Sequence, residues 1–151
     1  MTNIVVDSNI LFSAILNINS RIGQILMSGS NYYEFYAPTY MRSEIWEHHN
    51  KIKKLGKFSD EEFLEVYELT LKHITILNHS IVPIDIYRQA FELCYETDPD
   101  DTPFVAFSLF LNCKLWTGDK KLISGLNNKN FKNSISTDAL FKDFMRKKQK
   151  P

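Results

Sequence analysis

Three aspartates fall within four positions of the stretch "TDPDDTPFVAF" (97–107), directly before an apolar run. Asp98, Asp100 and Asp101 would repel one another in a site with little water, because several like charges at short range cannot all stay ionised. A divalent cation removes this conflict. Mg²⁺ and Mn²⁺ are hard ions that prefer oxygen ligands, so the stretch predicts a site for one of them.

Three further acidic residues follow predicted strands. Asp7 ends the β-branched strand "NIVV", and Asp119 comes one residue after the strand "CKLWTG". Glu44 lies about one turn into the helix that follows the strand "YEFYAP". In a parallel sheet the ligand site lies beyond the carboxyl ends of the strands. Four segments of the chain can therefore deliver a carboxylate to the same edge.

Each acidic residue alone has a simpler structural interpretation. An aspartate at the end of a strand is often a turn residue or a helix cap. Asp100 or Asp101 can cap the helix that starts near Pro103, since proline favours the first turn. Glu44 alone would be a solvated helix residue. The coincidence of all four segments at one predicted edge favours the metal site.

The hydrophobic pattern alternates between strands and helices. Predicted strands are 3–6, 33–38, "SIVPI" (80–84), 113–118 and "NSIST" (133–137). Predicted helices are 8–16, 20–28, 39–55, 60–73, 85–96 and 102–112, with two more starting at "KKLISGL" and near the end of the chain. This alternation is typical of an α/β protein with a parallel sheet.

Local signals set the limits of several predicted helices. Ser8 or Asn9 can cap the first helix, and Thr39 can cap the helix that precedes Gly56, a typical stop residue. Ser59 and Glu62 have the spacing of a capping box.

The composition, 44% apolar and 24% charged over 151 residues, is that of a soluble globular protein with one domain. No apolar run approaches the roughly 18 residues of a membrane span, and "MTNIVVDSN" has no basic region typical of a signal peptide. We therefore expect a cytoplasmic protein without a membrane partner. Cys94 and Cys113 stand apart in apolar sequence, which predicts reduced, buried thiols.

Four segments, "IVVDSNIL", "SEIWEHHNKI", "DPDDTPFVAFSL" and "LWTGDKKL", resemble in that order the acidic motifs of PIN-domain ribonucleases. The resemblance covers essentially the whole chain, and the pair "DPDDTPFVA" and "LWTGDKKL" is its most specific part. It implies a three-layer α/β/α sandwich with a central, mostly parallel sheet and an acidic, metal-binding pocket. Within that family, the chain is similar to VapC-like toxins of bacterial toxin–antitoxin systems.

The matching positions imply roles for individual residues. The metal-binding and catalytic acids would be Asp7, Glu44, Asp101 and Asp119. Asp98 and Asp100 compete with Asp101 for the third place, and we prefer Asp101. Ser8, Asn9 and Thr117 match small polar positions that orient the acids or their waters. An alternative is zinc bound by Glu44 and His48, which share a helix face, but the resemblance favours a site built from carboxylates.

The resemblance implies Mg²⁺- or Mn²⁺-dependent hydrolysis of RNA to products that carry a 5′-phosphate. Lys120 and Lys121, which adjoin Asp119, would contact the RNA phosphates. An antitoxin and a second copy of the chain are the expected protein partners. The alternative is a catalytically idle PIN fold that binds RNA or protein as a scaffold. Four crowded acids argue against the scaffold, which has no need to maintain their repulsion.

Overall fold

A five-stranded, all-parallel sheet forms the centre of the computed structural model, which describes residues 1–150. The strands are β1 (Thr2–Val6), β2 (Tyr33–Pro38), β3 (Ile74–Leu77), β4 (Lys114–Trp116) and β5 (Ser134–Ile135). Their order in the sheet is β3-β2-β1-β4-β5. β1 therefore lies in the middle, between β2 and β4.

Helices cover the two faces of this sheet. Within residues 1–150 they are α1 (Ser8–Leu16), α2 (Arg21–Ser28), α3 (Tyr40–Glu47), α4 (His49–Gly56), α5 (Asp60–Leu71), α6 (Ile84–Cys94), α7 (Thr102–Leu111), α8 (Lys120–Asn128) and α9 (Thr137–Gln149). α7 packs against β1, β2 and β4, and α6 packs against α7 and α8. α1 packs against α2, α3, α4 and α5. The predicted three-layer α/β/α sandwich is confirmed.

The N-terminal strand β1 forms the buried centre of the sheet. Ile4, Val5 and Val6 are fully buried, as expected for a β-branched strand covered on both faces. The sheet order reverses at this strand, because the chain goes from β1 to β2 on one side and later to β4 on the other. Ligands of open parallel sheets bind in the crevice at such a switch point. α1, α3 and α8 follow β1, β2 and β4, so their N-terminal ends lie at that crevice.

The predicted strand "SIVPI" is wrong, and the edge strand lies earlier, at Ile74–Leu77. This segment pairs with β2 from Phe35 to Pro38. The chain then turns through a 3₁₀ helix at His79–Ile81, where the Asn78 side chain accepts a hydrogen bond from the Ser80 N–H. Pro83, two residues further on, is the N-cap residue of α6. Its missing N–H and fixed φ suit a helix start better than a strand.

The helix predicted from Thr39 to residue 55 is two helices, α3 and α4, separated at His48. The Thr39 side chain makes no capping hydrogen bond. α4 includes Gly56, and the left-handed residue that ends it is Lys57, with φ 56°. The glycine serves another purpose, since a Cβ there would lie 2.3 Å from the ring of Phe58. By contrast, the capping box of Ser59 and Glu62 is confirmed.

Both cysteines are free, as predicted. Cys94 is buried, whereas Cys113 is only half-buried. Burial raises the pKa of Cys94 to about 12 and that of Cys113 to about 11, so both thiols stay protonated.

Among residues 1–150, no single helix is both long and apolar enough to cross a membrane. One pair, Ser8–Leu16 with Arg21–Asn31, passes the length and composition test jointly but is bent by 101°.

Gly23 should be intolerant of substitution. A Cβ at this position would lie 2.0 Å from the backbone oxygen of Ile18, which belongs to the connection between α1 and α2. We expect Gly23→Ala to lower the free energy of unfolding by about 1–3 kcal/mol, because the backbone must shift to relieve the overlap. Denaturant unfolding measures this change. Gly118→Ala is the control, since its Cβ meets no atom within 4 Å, and an equal loss in both variants would contradict the prediction.

Candidate active site

Asp7 lies at the end of the central strand and is only 4% exposed. The Thr117 hydroxyl donates a 2.7 Å hydrogen bond to its Oδ2. The carboxylate makes no capping hydrogen bond to α1, although the nearby N–H groups of Asn9 and Ser8 favour its charge. Burial is the dominant influence and raises the pKa of Asp7 above its ordinary value. The position therefore disfavours an uncompensated negative charge.

Thr117 joins the two central strands at the site. It is fully buried and follows β4 by one residue. Its hydroxyl donates to Asp7 and accepts a 3.1 Å hydrogen bond from the backbone N–H of Asp119. One side chain thus fixes the Asp7 carboxylate relative to the start of α8. The resemblance predicted a supporting position here but not this double contact.

Asp119 has a structural role as the N-cap of α8. Its Oδ1 accepts a 3.1 Å hydrogen bond from the backbone N–H of Leu122. No residue among 1–150 donates to its Oδ2, so one carboxylate oxygen holds the helix and the other can bind a ligand. Asp119 can therefore cap α8 and bind a metal ion at the same time.

Glu44 and Ser8 form the contact between the first and third helices. The Ser8 hydroxyl, 2% exposed, donates a 2.7 Å hydrogen bond to Glu44 Oε1. Burial and the charges of Asp7, Asp100 and Asp98 raise the pKa of Glu44 to about 7, although the bond from Ser8 acts in the opposite direction. The predicted orienting position, Ser8, thus contacts one of the predicted acids.

Asp101 is the least compensated acid of the site. It ends the short 3₁₀ helix Pro99–Asp101, directly before α7, and burial is the main cause that raises its pKa to about 8. Nearby negative charges, including those of Asp7 and Asp119, raise the pKa further. Its Oδ2 is buried and accepts no hydrogen bond from any residue between 1 and 150. A buried acceptor without a donor is costly, so a bound ligand is the natural partner.

Asp98 and Asp100 differ from their neighbour Asp101 in exposure. Both side chains are exposed, whereas Asp101 is half-buried. Asp98 Oδ1 accepts a 3.0 Å hydrogen bond from the Asp100 N–H, which fixes the turn before α7. The two exposed aspartates still add negative charge to the site, since both raise the pKa of Glu44. Their geometry favours a turn-forming role and leaves Asp101 as the inward-facing acid.

A family model described as "PIN domain" matches residues 5–139 of the chain. This protein belongs to the PIN-domain family. Its structure is similar to a chain in the crystal structure of VapBC2 from Rickettsia felis, which is bound to a DNA fragment from the promoter. The two chains share 16% sequence identity with a TM-score of 0.64, over 89% of this chain and 97% of that one. No curated protein sequence matches. At this identity the structural similarity shows the fold, and PIN domains are generally nucleases.

The acids of this PIN domain suit a hard divalent ion with an open coordination sphere. Over residues 1–150, no three His, Cys, Asp or Glu side chains are grouped closely enough to hold a metal by themselves. Mg²⁺ normally keeps several waters and uses one or two carboxylates together with substrate phosphates, so it does not require such a cage. The unpartnered Asp101 Oδ2 and the burial of Asp7 fit this mode of binding.

The other predicted site residues of the PIN domain lie at its surface. Lys120 and Lys121 are exposed in the first turn of α8 and form no ion pair within the described part of the chain. Asn9 is exposed and lines a groove with Phe12 and His48. The His48 ring lies edge-on to Phe12, 5.8 Å between centroids, and forms no hydrogen bond with an acid. Zinc binding by this histidine gains no support.

Tyr40 also lies at this site, although no sequence motif predicted it. Its ring centroid is 6.3 Å from that of Phe104 at the start of α7. Burial raises the pKa of the Tyr40 hydroxyl, and the charges of Glu44, Asp100, Glu47 and Asp98 raise it further. The detectable signal is its spacing, four residues before Glu44, which places both side chains on one helix face.

Thr117→Val should destabilise the protein. The substitution keeps the shape of the side chain but removes the donor to a buried carboxylate, so we expect a loss of about 1–3 kcal/mol in denaturant unfolding at neutral pH. Thr70→Val is a matched control, because Thr70 is also fully buried but donates only to the Val66 carbonyl of its own helix. The control should lose at most about 1 kcal/mol. Equal losses would show that the bond to Asp7 has no special weight.

Asp101→Asn should stabilise the metal-free protein at alkaline but not at acidic pH. The folded-state pKa of Asp101, about 8, exceeds the ordinary value of 3.8, so folding favours the protonated form. Stability is therefore lost as the pH rises from about 4 through about 8. The neutral amide escapes this loss, and we expect a gain of about 1–2 kcal/mol at high pH after a discount for solvent screening.

The measurement for this substitution is denaturant unfolding in EDTA at about pH 5 and about pH 9. Asp138→Asn, an exposed position on α9, controls for the loss of one negative charge. A gain for Asp101→Asn that is the same at both pH values would show that ionisation of Asp101 is not its cause.

Proposed function

We propose that this PIN-domain protein is a metal-dependent endoribonuclease that hydrolyses RNA phosphodiester bonds. The observation that carries the proposal is the half-buried Asp101, whose Oδ2 accepts no hydrogen bond from residues 1–150 and on which the charges of Asp7, Asp119 and Glu44 act. A folded protein gains nothing from burying mutually repelling acids without a counterion. The family supplies the class of chemistry, since PIN domains are generally nucleases.

Mg²⁺ or Mn²⁺ is the cofactor that we propose for these oxygen ligands, which would hold it through carboxylates drawn from Asp7, Glu44, Asp101 and Asp119. When bound, such an ion supplies a Lewis acid and an activated water for phosphodiester hydrolysis. The remaining work belongs to the chain's own side chains. Ser8 and Thr117 fix the orientation of Glu44 and Asp7 through the two 2.7 Å hydrogen bonds.

Lys120 and Lys121 are proposed contacts for the RNA backbone. Both lie in the first turn of α8, where the helix dipole favours anions and disfavours cations. Neither has an ionic partner among residues 1–150. A bound phosphate would compensate both charges, and it would lie next to Asp119. The exposed Asn9 is assigned only as a supporting residue at the rim of the site.

The biological role that we propose is that of a toxin restrained by an antitoxin protein in the cytoplasm. The support is the similarity of fold to a chain of the VapBC2 complex. A homodimer is part of the same proposal. Expression of the chain should arrest bacterial growth, and the Asp7→Asn variant should not. Growth arrest by both proteins would contradict the proposal that toxicity depends on the acidic site.

Metal-dependent cleavage of RNA is the direct test. Wild-type protein should cleave RNA with Mg²⁺ or Mn²⁺ and lose activity in EDTA. Asp7→Asn and Asp119→Asn should each lower the cleavage activity by more than about 100-fold. Removing a residue that only supports a metal ligand typically costs about 10–100-fold, and each of these substitutions removes a proposed ligand itself. Asparagine can still accept the Thr117 hydrogen bond or cap α8, so the fold should persist, as circular dichroism can verify.

Controls separate the nuclease from its alternatives. Asp138→Asn should retain activity, because this exposed residue lies on α9. Among the three neighbouring aspartates, Asp101→Asn should be far less active than Asp98→Asn or Asp100→Asn. Cleavage that survives EDTA and Asp7→Asn would indicate a contaminant or another site. RNA binding without any cleavage would favour the idle scaffold.

A further inference from the structure

We propose that the Tyr40 hydroxyl is an additional RNA-binding group, which donates a hydrogen bond to a non-bridging oxygen of the phosphodiester held at the acidic site. The inference rests on the proposed function, because it assigns a residue that contacts the RNA substrate proposed for that site. It adds an uncharged donor to a pocket whose other inward-facing groups are acids.

The position of Tyr40 is set by the two helices that carry Glu44 and Asp101. Tyr40 is the first residue of α3, and Glu44 follows one turn later on the same face. On the other side, the Tyr40 ring packs on Phe104, at an interplanar angle of 60°. Phe104 is 1% exposed and lies three residues after Asp101. The ring is therefore anchored between the helix starts that deliver two of the four acids.

The surroundings of the hydroxyl are acidic. Glu44, Asp98 and Asp100 are near enough for their charges to act on it. Ionised carboxylates and phosphodiesters are both hydrogen-bond acceptors, so an RNA strand that enters this site needs donors. A tyrosine hydroxyl is protonated at neutral pH and supplies a donor without a charge of its own.

The other hydroxyls of the site already have acceptors. Ser8 donates to Glu44, and Thr117 donates to Asp7. The Tyr40 hydroxyl donates to no protein acceptor among residues 1–150, although the residue is half-buried. It is thus the hydroxyl at the site that remains free for a ligand. Lys120 and Lys121 lie on α8, so donors would contact the RNA from two different segments.

Tyr40→Phe tests the assignment, because it deletes one oxygen and leaves the ring on Phe104. With a cleaved RNA, the variant should raise KM about 10–100-fold, the value of one hydrogen bond to a charged acceptor, and should change kcat by less than about twofold. Fluorescence anisotropy with labelled RNA in EDTA should show the same loss of affinity, about 10–100-fold. Tyr36→Phe is the matched control, since its hydroxyl already donates to Glu34.

Phosphorothioate RNA identifies the acceptor. Sulfur in place of the contacted non-bridging oxygen should weaken binding to wild type but not to Tyr40→Phe, because the hydrogen bond is absent in the variant. Equal affinities of wild type and Tyr40→Phe, including no measurable binding by either, would overturn the assignment. The proposed nuclease fails in a different way, by the absence of metal-dependent cleavage, and the binding comparison in EDTA still tests Tyr40 in that case.

Discussion

Repulsion among acids in a half-buried site is the constraint that shapes this PIN domain. Asp7 is almost fully buried, and burial raises the pKa values of Asp7, Glu44 and Asp101. The folded chain counters this cost only in part, through the Thr117 and Ser8 hydroxyls. The Asp101 Oδ2 receives no such help from residues 1–150. Under the proposed function, stability and activity are in opposition at this site, since the same uncompensated charge that weakens the fold would bind the cation.

The parallel sheet is the device that concentrates these charges. β1 lies in the centre with β2 and β4 on its two sides, so residues far apart in sequence meet at one edge. Asp7 and Thr117 are 110 residues apart yet form a direct hydrogen bond. Both faces of the central strand are covered by apolar residues. The polar groups at its carboxyl end therefore face the crevice at the edge of the sheet.

Structural features that depend on neighbouring residues could be predicted from the sequence. Features that depend on pairing or packing between distant segments were harder to predict. The capping box before α5 is local, because two side chains bond to nearby N–H groups, and it was predicted correctly. The edge strand Ile74–Leu77 was not predicted, and a strand was placed at 80–84 instead, since the true segment becomes a strand only by pairing with β2. The helix break at His48 has no proline or glycine to announce it. Tyr40 gains its significance from contact with Phe104, which sequence spacing does not reveal.

Strand–helix alternation and carboxylates after strands are local patterns, so the class of fold and the candidate acids were predictable from the chain alone. The packing of the chain was needed to show which of three neighbouring aspartates faces inward. Asp98 and Asp100 form and flank an exposed turn, whereas Asp101 is half-buried at the start of α7. It also decided that Thr117 connects Asp7 to Asp119. The physical reason is that burial and long-range hydrogen bonds depend on how distant segments pack, and a linear pattern does not contain that information.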